Sequence, residues 1–102
     1  MRGDVVVGSA PRPRPGLPPH RAATTRLVVV PSPTGRIAPS HLALRTAGAN
    51  VLVQDLGAGP GTVLVRGGIA PVLLATALPT PLVVGDLLDV GDGVTLRLTA
   101  PR

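Results

Sequence analysis

The sequence predicts an all-β domain, built as an antiparallel β-sandwich of short strands joined by loops. Val, Leu and Ile occur in short runs, and these runs are bounded by the 13 glycines and 13 prolines of the chain. No stretch keeps a helical period for long. Short apolar runs separated by turn signals are typical of sandwiches. The 102 residues are enough for one hydrophobic core, so we expect a single domain over 1–102.

The first half of the chain contains three predicted strands. The run Val-Val-Val at residues 5–7 predicts the first, and the Pro-rich segment 11–19 follows it as an extended loop, because proline cannot donate to a β-ladder. Residues 27–30 form the second strand, which ends before Pro31. The third lies within 37–45, where Leu42 and Leu44 alternate with Ala43 and Arg45 and predict one buried face.

A turn at residues 47–50 predicts a hairpin that returns through 51–54. A glycine-rich loop at 55–62 then leads to a strand at 63–65, and the simplest interpretation is two hairpins in succession. The remaining strands are predicted at 71–75, 82–84, 87–90 and 94–98. The last one alternates Val94, Leu96 and Leu98 inward with polar residues outward.

The composition excludes several classes of chemistry. Without cysteine the chain has no disulfide, thiolate metal site or thiol nucleophile. The net charge of +5 is spread along the chain and does not form one focused patch. No apolar run approaches the roughly 20 residues that span a bilayer, and the start of the chain lacks a signal-peptide pattern. We expect a cytoplasmic domain with no membrane partner, no metal and no cofactor.

Four segments occur in the order and spacing of a known family. They are Gly8-Ser9, the Ala-Pro-Ser-His of residues 38–41, the Asp-Leu-Gly-Ala-Gly-Pro-Gly-Thr of residues 55–62, and Gly-Asp at 85–86. This order resembles the forkhead-associated (FHA) domain, a phosphothreonine-peptide binder with Gly-Arg, Ser-x-x-His, Asp-Leu-Gly-Ser-x-Asn-Gly-Thr and Gly-Asp at these places. The resemblance covers nearly the whole chain. It implies an FHA-like sandwich whose partner-facing end is formed by the loops around Ser9, 34–41 and 58–62.

The recognition positions of the family are changed in this chain. Ser9 stands where the family has an arginine that contacts the phosphopeptide, and Ala38 stands where a serine touches the phosphate. Pro39 takes the place of a frequent basic residue, and Pro60 that of an asparagine that bonds the peptide backbone. The resemblance therefore implies that phosphothreonine recognition is weakened or lost.

Nine residues of these loops are the candidate site. The candidate contacts for a peptide or anion carry a hydroxyl or a guanidinium, groups that make the charge-assisted bonds a phosphate needs: Ser9, Thr34, Arg36, Ser40 and Thr62. Residues expected to support the loops are Gly8, His41, Gly57 and Gly61, and in the family the histidine holds the binding loop by hydrogen bonds. His41 has no second ligand in view, so neither a metal site nor a catalytic residue is predicted.

We therefore expect a protein-interaction module and no enzyme, with a protein partner whose phosphorylation is left open. One alternative is a phosphothreonine binder whose pocket is rebuilt from Arg36, Ser40 and one of Arg21 or Arg26. Another is a non-specific anion- or nucleic-acid-binding domain, which the positive charge favours and the lack of aromatic stacking residues opposes. We do not expect nucleic acid as the partner.

Two features at the front of the chain leave further alternatives open. FHA domains have one or two strands ahead of the Gly-Arg segment, and here the chain begins shortly before Val5. The domain is then either shortened or has an open sheet edge, and a strand added or exchanged at that edge would make a dimer. The Pro-Arg-Pro-Arg-Pro run at 11–15 is a polyproline ligand or an insertion that covers one end of the sandwich.

Overall fold

The computed structural model describes residues 3–57 and 59–99. In this part of the chain nine strands and one short helix follow one another: β1 Asp4–Gly8, α1 Pro19–Thr24, β2 Arg26–Val29, β3 Leu42–Ala47, β4 Asn50–Asp55, β5 Val63–Val65, β6 Val72–Leu73, β7 Thr80–Leu82, β8 Leu87–Gly91 and β9 Val94–Arg97. None of the described residues belongs to a helix long and apolar enough to cross a membrane.

The strands form two sheets with one aliphatic core between them. One sheet has five strands in the order β2-β1-β3-β4-β7, and the other has four in the order β6-β5-β8-β9. Val7, Leu42 and Val53 of the first sheet pack with Leu88 and Val90 of the second, and each is at most 3% exposed. The all-β class and the sandwich architecture predicted from the sequence are confirmed.

β1 and β2 depart from the antiparallel prediction, because they pair in parallel from Val5 opposite Arg26 to Gly8 opposite Val29. A parallel return needs a long crossover, and residues 9–25 supply it. The crossover contains α1, where the sequence predicted loop through residue 19. Pro19 lies in the first turn, where its missing N–H costs nothing. α1 buries no residue and is anchored by Arg21, whose guanidinium donates two hydrogen bonds of 3.0 and 2.8 Å to Asp4.

Of the two predicted successive hairpins, the first is confirmed and the second is wrong. β3 and β4 pair antiparallel from Leu42 opposite Asp55 to Ala47 opposite Asn50. β4 and β5, however, belong to different sheets. The free edge of β4 is taken by β7, so residues 56–62 carry the chain from one sheet to the other. The glycine-rich loop is therefore a crossing between sheets at one end of the sandwich.

β9 ends the four-stranded sheet and pairs with β8 in the part of the chain that the structure describes. Its alternation follows the sequence pattern: Val94, Leu96 and Leu98 pack against the core, while Thr95 and Arg97 are exposed. The strand predicted at 82–84 is displaced to Thr80–Leu82. The carbonyl of Val83 accepts a hydrogen bond from the N–H of Asp86 and so belongs to the turn before β8. Dimer formation through an open edge stays a prediction.

Candidate functional site

The end of β1 touches the backbone of residues 38 and 39 directly. A Cβ placed on Gly8 would lie 1.9 Å from the carbonyl oxygen of Pro39 and 2.8 Å from that of Ala38. The N–H groups of Ser9 and Ala10 donate to those same two carbonyls over 3.1 Å each. Because any larger residue would collide with backbone, glycine is what allows the loop to lie across the strand end.

His41 ties this loop to the glycine-rich crossing. Its ring is fully buried, Nδ1 accepts a hydrogen bond of 3.2 Å from the N–H of Ala38, and Nε2 donates one of 2.8 Å to the carbonyl of Gly61. One ring nitrogen accepts and the other donates, which is the bonding of a neutral imidazole with its proton on Nε2. The backbone N–H of His41 also donates to Val7 over 2.8 Å. His41 therefore supports both loops at once.

The glycine-rich crossing is held by the buried carboxylate of Asp55. The hydroxyl of Thr62 donates to Asp55 Oδ1 over 2.7 Å, and the N–H of Gly57 donates to Oδ2 over 3.0 Å. Thr62 is 0% exposed. Its hydroxyl is therefore buried and stabilises the loop, and its role as a contact residue stays a prediction. Ala58, where the predicted partner-facing loop begins, lies outside the described residues.

Asp92 holds the loop that contains Thr34 and Arg36. The hydroxyls of Ser32 and Thr34 donate to its two carboxylate oxygens, the former over 2.6 Å, and the N–H of Arg36 donates to Oδ2 over 3.1 Å. The bonds from Ser32 and then Thr34 hold the pKa of Asp92 below its usual value. The Arg36 side chain is exposed. The contact between Thr34 and Asp92 joins residues 58 positions apart in sequence, so local patterns gave no signal for it.

The hydroxyls of Ser9 and Ser40, the other two candidates, also form hydrogen bonds inside the protein. Ser9 donates to the carbonyl of Ile37 over 3.2 Å. Ser40 differs, because its oxygen accepts a hydrogen bond of 3.2 Å from the N–H of Arg12, and that bond leaves the hydroxyl proton of Ser40 to serve another acceptor. Three of the four candidate hydroxyls thus donate inside the protein, and Ser40 is the exception.

A groove of about 560 Å³ opens beside Ser40, and the candidate residues chosen from the sequence did not include its basic wall. Residues 12–15 of the Pro-rich crossover form one side, and Ser40 and Leu56 form the other. Arg12, Pro13 and Pro15 are exposed, and Arg14 is partly so. The signal in the sequence was the alternation of proline and arginine in this segment.

Two arginines elsewhere are held by carboxylates. Arg66 donates from Nε and from its terminal nitrogen to Asp86 over 2.9 and 2.7 Å, and the N–H of Val83 donates to the same carboxylate over 2.8 Å. The bond from Arg66 lowers the pKa of Asp86, and that from Arg21 lowers the pKa of Asp4.

Within residues 3–57 and 59–99 no group of three or more metal-ligating side chains comes together.

Comparison with solved structures identifies the fold. One similar structure comes from a structural and functional study of phosphothreonine-dependent FHA domain interactions. It aligns with 100% of this chain and 82% of its own at a TM-score of 0.58 and 20% sequence identity. Another is the FhaA FHA domain complexed with the intracellular domain of Rv3910, which aligns with 87% of this chain and 72% of its own at a TM-score of 0.52 and 20% identity.

No family model matches the sequence, and no curated protein matches it. The two-sheet sandwich and its crossing loops are what the chain shares with these structures. The chain has an FHA-like fold.

Proposed function

We propose that this FHA-like domain is a protein-interaction module, not an enzyme, that docks cytoplasmic protein partners with the loops at the Gly8 end of β1. Phosphothreonine recognition through the family's positions is weakened or lost. One observation carries this proposal: the hydroxyls of Ser9, Thr34 and Thr62 already donate to acceptors inside the protein. A phosphate would have to compete with those bonds, while the arginine fork that the family brings to it is replaced by Ser9.

The geometry gives less support to a rebuilt phosphothreonine pocket. Arg36 is exposed and Ser40 keeps a proton to donate, but Arg21 is bound in a bidentate pair with Asp4. Arg26 lies on β2, at the edge of the five-stranded sheet. A pocket of this kind would depend on the single guanidinium of Arg36. The non-specific nucleic-acid alternative rests on net charge without a focused site.

The test is a titration with a degenerate phosphothreonine peptide library and its unphosphorylated twin, at about 0.15 M salt. We expect equal binding of the two libraries. Binding that depends on phosphate, and that falls in Arg36→Ala but not in Arg97→Ala, would instead establish the rebuilt pocket. Failure of both libraries to bind would contradict peptide docking. Binding of a DNA duplex that disappears as salt rises would assign the domain to non-specific nucleic-acid contacts.

A further inference from the structure

The groove between the Pro-rich segment and Ser40 has features of a site for an extended peptide. Its volume of about 560 Å³ falls in the range of small-molecule pockets. Pro13, Pro15 and Leu56 supply apolar surface, while Arg12, Arg14 and Ser40 supply hydrogen-bond donors. The backbone N–H of Arg12 is bonded to Ser40 over 3.2 Å, which fixes one wall of the groove relative to the other.

The spacing of the two arginines follows from the local sequence. Arg12 precedes Pro13 and Arg14 precedes Pro15, and a residue before proline is driven to extended backbone. Residues two positions apart in an extended chain lie on the same side, roughly 6–7 Å apart. Both arginines line the groove. Two arginines whose backbones are spaced in this way can meet carboxylates at alternate positions of another extended chain.

We propose that this groove binds an extended acidic segment of a partner protein, with side-chain carboxylates on Arg12 and Arg14 and an apolar side chain against Leu56. Ser40 donates its free proton to the same segment. This inference rests on the proposed function and specifies its partner chemistry: the acidity of the segment replaces phosphorylation as the source of negative charge. Charge complementarity supports the assignment, because two of the six residues that line the groove are arginines and none is acidic.

The probe is a short fluorescein-labelled peptide with glutamate at alternate positions around a leucine. Its binding is measured by fluorescence anisotropy at about 0.15 M salt. One twin has glutamine in place of every glutamate, and a second carries one phosphothreonine in that glutamine background. We expect the glutamate peptide to bind at least about tenfold more tightly than the glutamine twin. Arg12→Ala and Arg14→Ala should each weaken it by about three- to fivefold, as exposed ion pairs do, and the double variant by about tenfold.

Arg97→Ala is the matched control, because it removes the same charge from an exposed position on β9 of the other sheet. It should leave the affinity unchanged, and unchanged urea midpoints will show that all the variants remain folded. Equal binding of the glutamate and glutamine peptides, equal losses in Arg12→Ala and Arg97→Ala, or tighter binding of the phosphothreonine twin would each overturn the acidic-segment proposal. If a ligand selected from the peptide libraries binds but is indifferent to the double variant, this proposal fails while the interaction module stands.

Discussion

Replacing Gly8 by alanine should destabilise the domain by closing the space through which the loop at 38–39 crosses β1. The added methyl carbon would sit 1.9 Å from the carbonyl oxygen of Pro39. An ordinary contact between such atoms begins near 3.4 Å, so the loop would have to withdraw by about 1.5 Å. The obstacle is backbone, which cannot turn away as a flexible side chain can.

The cost can be worked from the bonds that this withdrawal breaks. Ser9 and Ala10 donate to the carbonyls of Ala38 and Pro39 at 3.1 Å, and a further 1.5 Å puts both beyond hydrogen-bonding range. Each lost bond is worth about 1 kcal/mol net, and because Ala10 and Pro39 are exposed, water can take up part of what is lost. The smaller entropy of an unfolded chain with alanine returns about 0.4–1 kcal/mol. We expect a net loss of about 1–2 kcal/mol, an appreciable part of the roughly 5–15 kcal/mol typical of such a domain.

Urea unfolding followed by far-ultraviolet circular dichroism measures this loss. Gly67→Ala is the matched control, because Gly67 has no positive φ and nothing lies within 4 Å of a Cβ built there. Its free energy of unfolding should stay within about 0.5 kcal/mol of the wild-type value. If Gly8→Ala is no less stable than Gly67→Ala, the close approach does not constrain the fold and the reasoning is refuted.

Three further substitutions test the hydrogen bonds that hold the loops and turns in place. His41→Ala removes both ring bonds and leaves a cavity, so we expect about 3 kcal/mol of destabilisation in urea. A loss below about 1 kcal/mol would contradict the role of His41 in holding the two loops together. Thr62→Val keeps the shape but removes the donor to Asp55, which should cost about 1–2 kcal/mol with no change in peptide affinity. A fall in affinity without a fall in stability would instead support Thr62 as a contact residue. Asp86 has a folded pKa below its unfolded value of about 3.9, so its bond to Arg66 contributes stability above about pH 4, which is lost as the pH falls toward the folded pKa. Asp86→Asn should therefore make the acid limb of the stability curve shallower, and equally steep limbs would argue against this role.

Most strands were predictable because their signals are local. The run at β1 and the alternation in β9 depend on side-chain period and on the glycines and prolines that bound them. Pairing is not local. The parallel return of β2 and the placing of β4 and β5 in different sheets depend on which edge each strand finds, and residues far apart in sequence decide this.

The candidate site shows the same division. Glycine and histidine at positions 8 and 41 could be chosen from motif order, which the family resemblance supplied. The partners of the hydroxyls could not, because Thr34 meets Asp92 across 58 positions and Ser40 meets Arg12 across 28. A hydroxyl in a loop therefore looks available in the sequence, whatever carbonyl or carboxylate the fold later brings to it.

The aspartates that hold separate loops have a consequence for how such a domain can change. Asp55 holds the glycine-rich crossing, Asp92 the loop at 32–36, Asp4 the helix of the crossover and Asp86 the turn before β8. Since each carboxylate serves a different loop, a change at one aspartate leaves the bonds of the other three in place, although His41 still joins the loop at 38–41 to the glycine-rich crossing. A grafted loop that keeps the hydrogen bonds to the aspartate that holds it should leave the sandwich intact. This small framework without aromatic residues is therefore a scaffold on which new peptide-binding loops can be displayed.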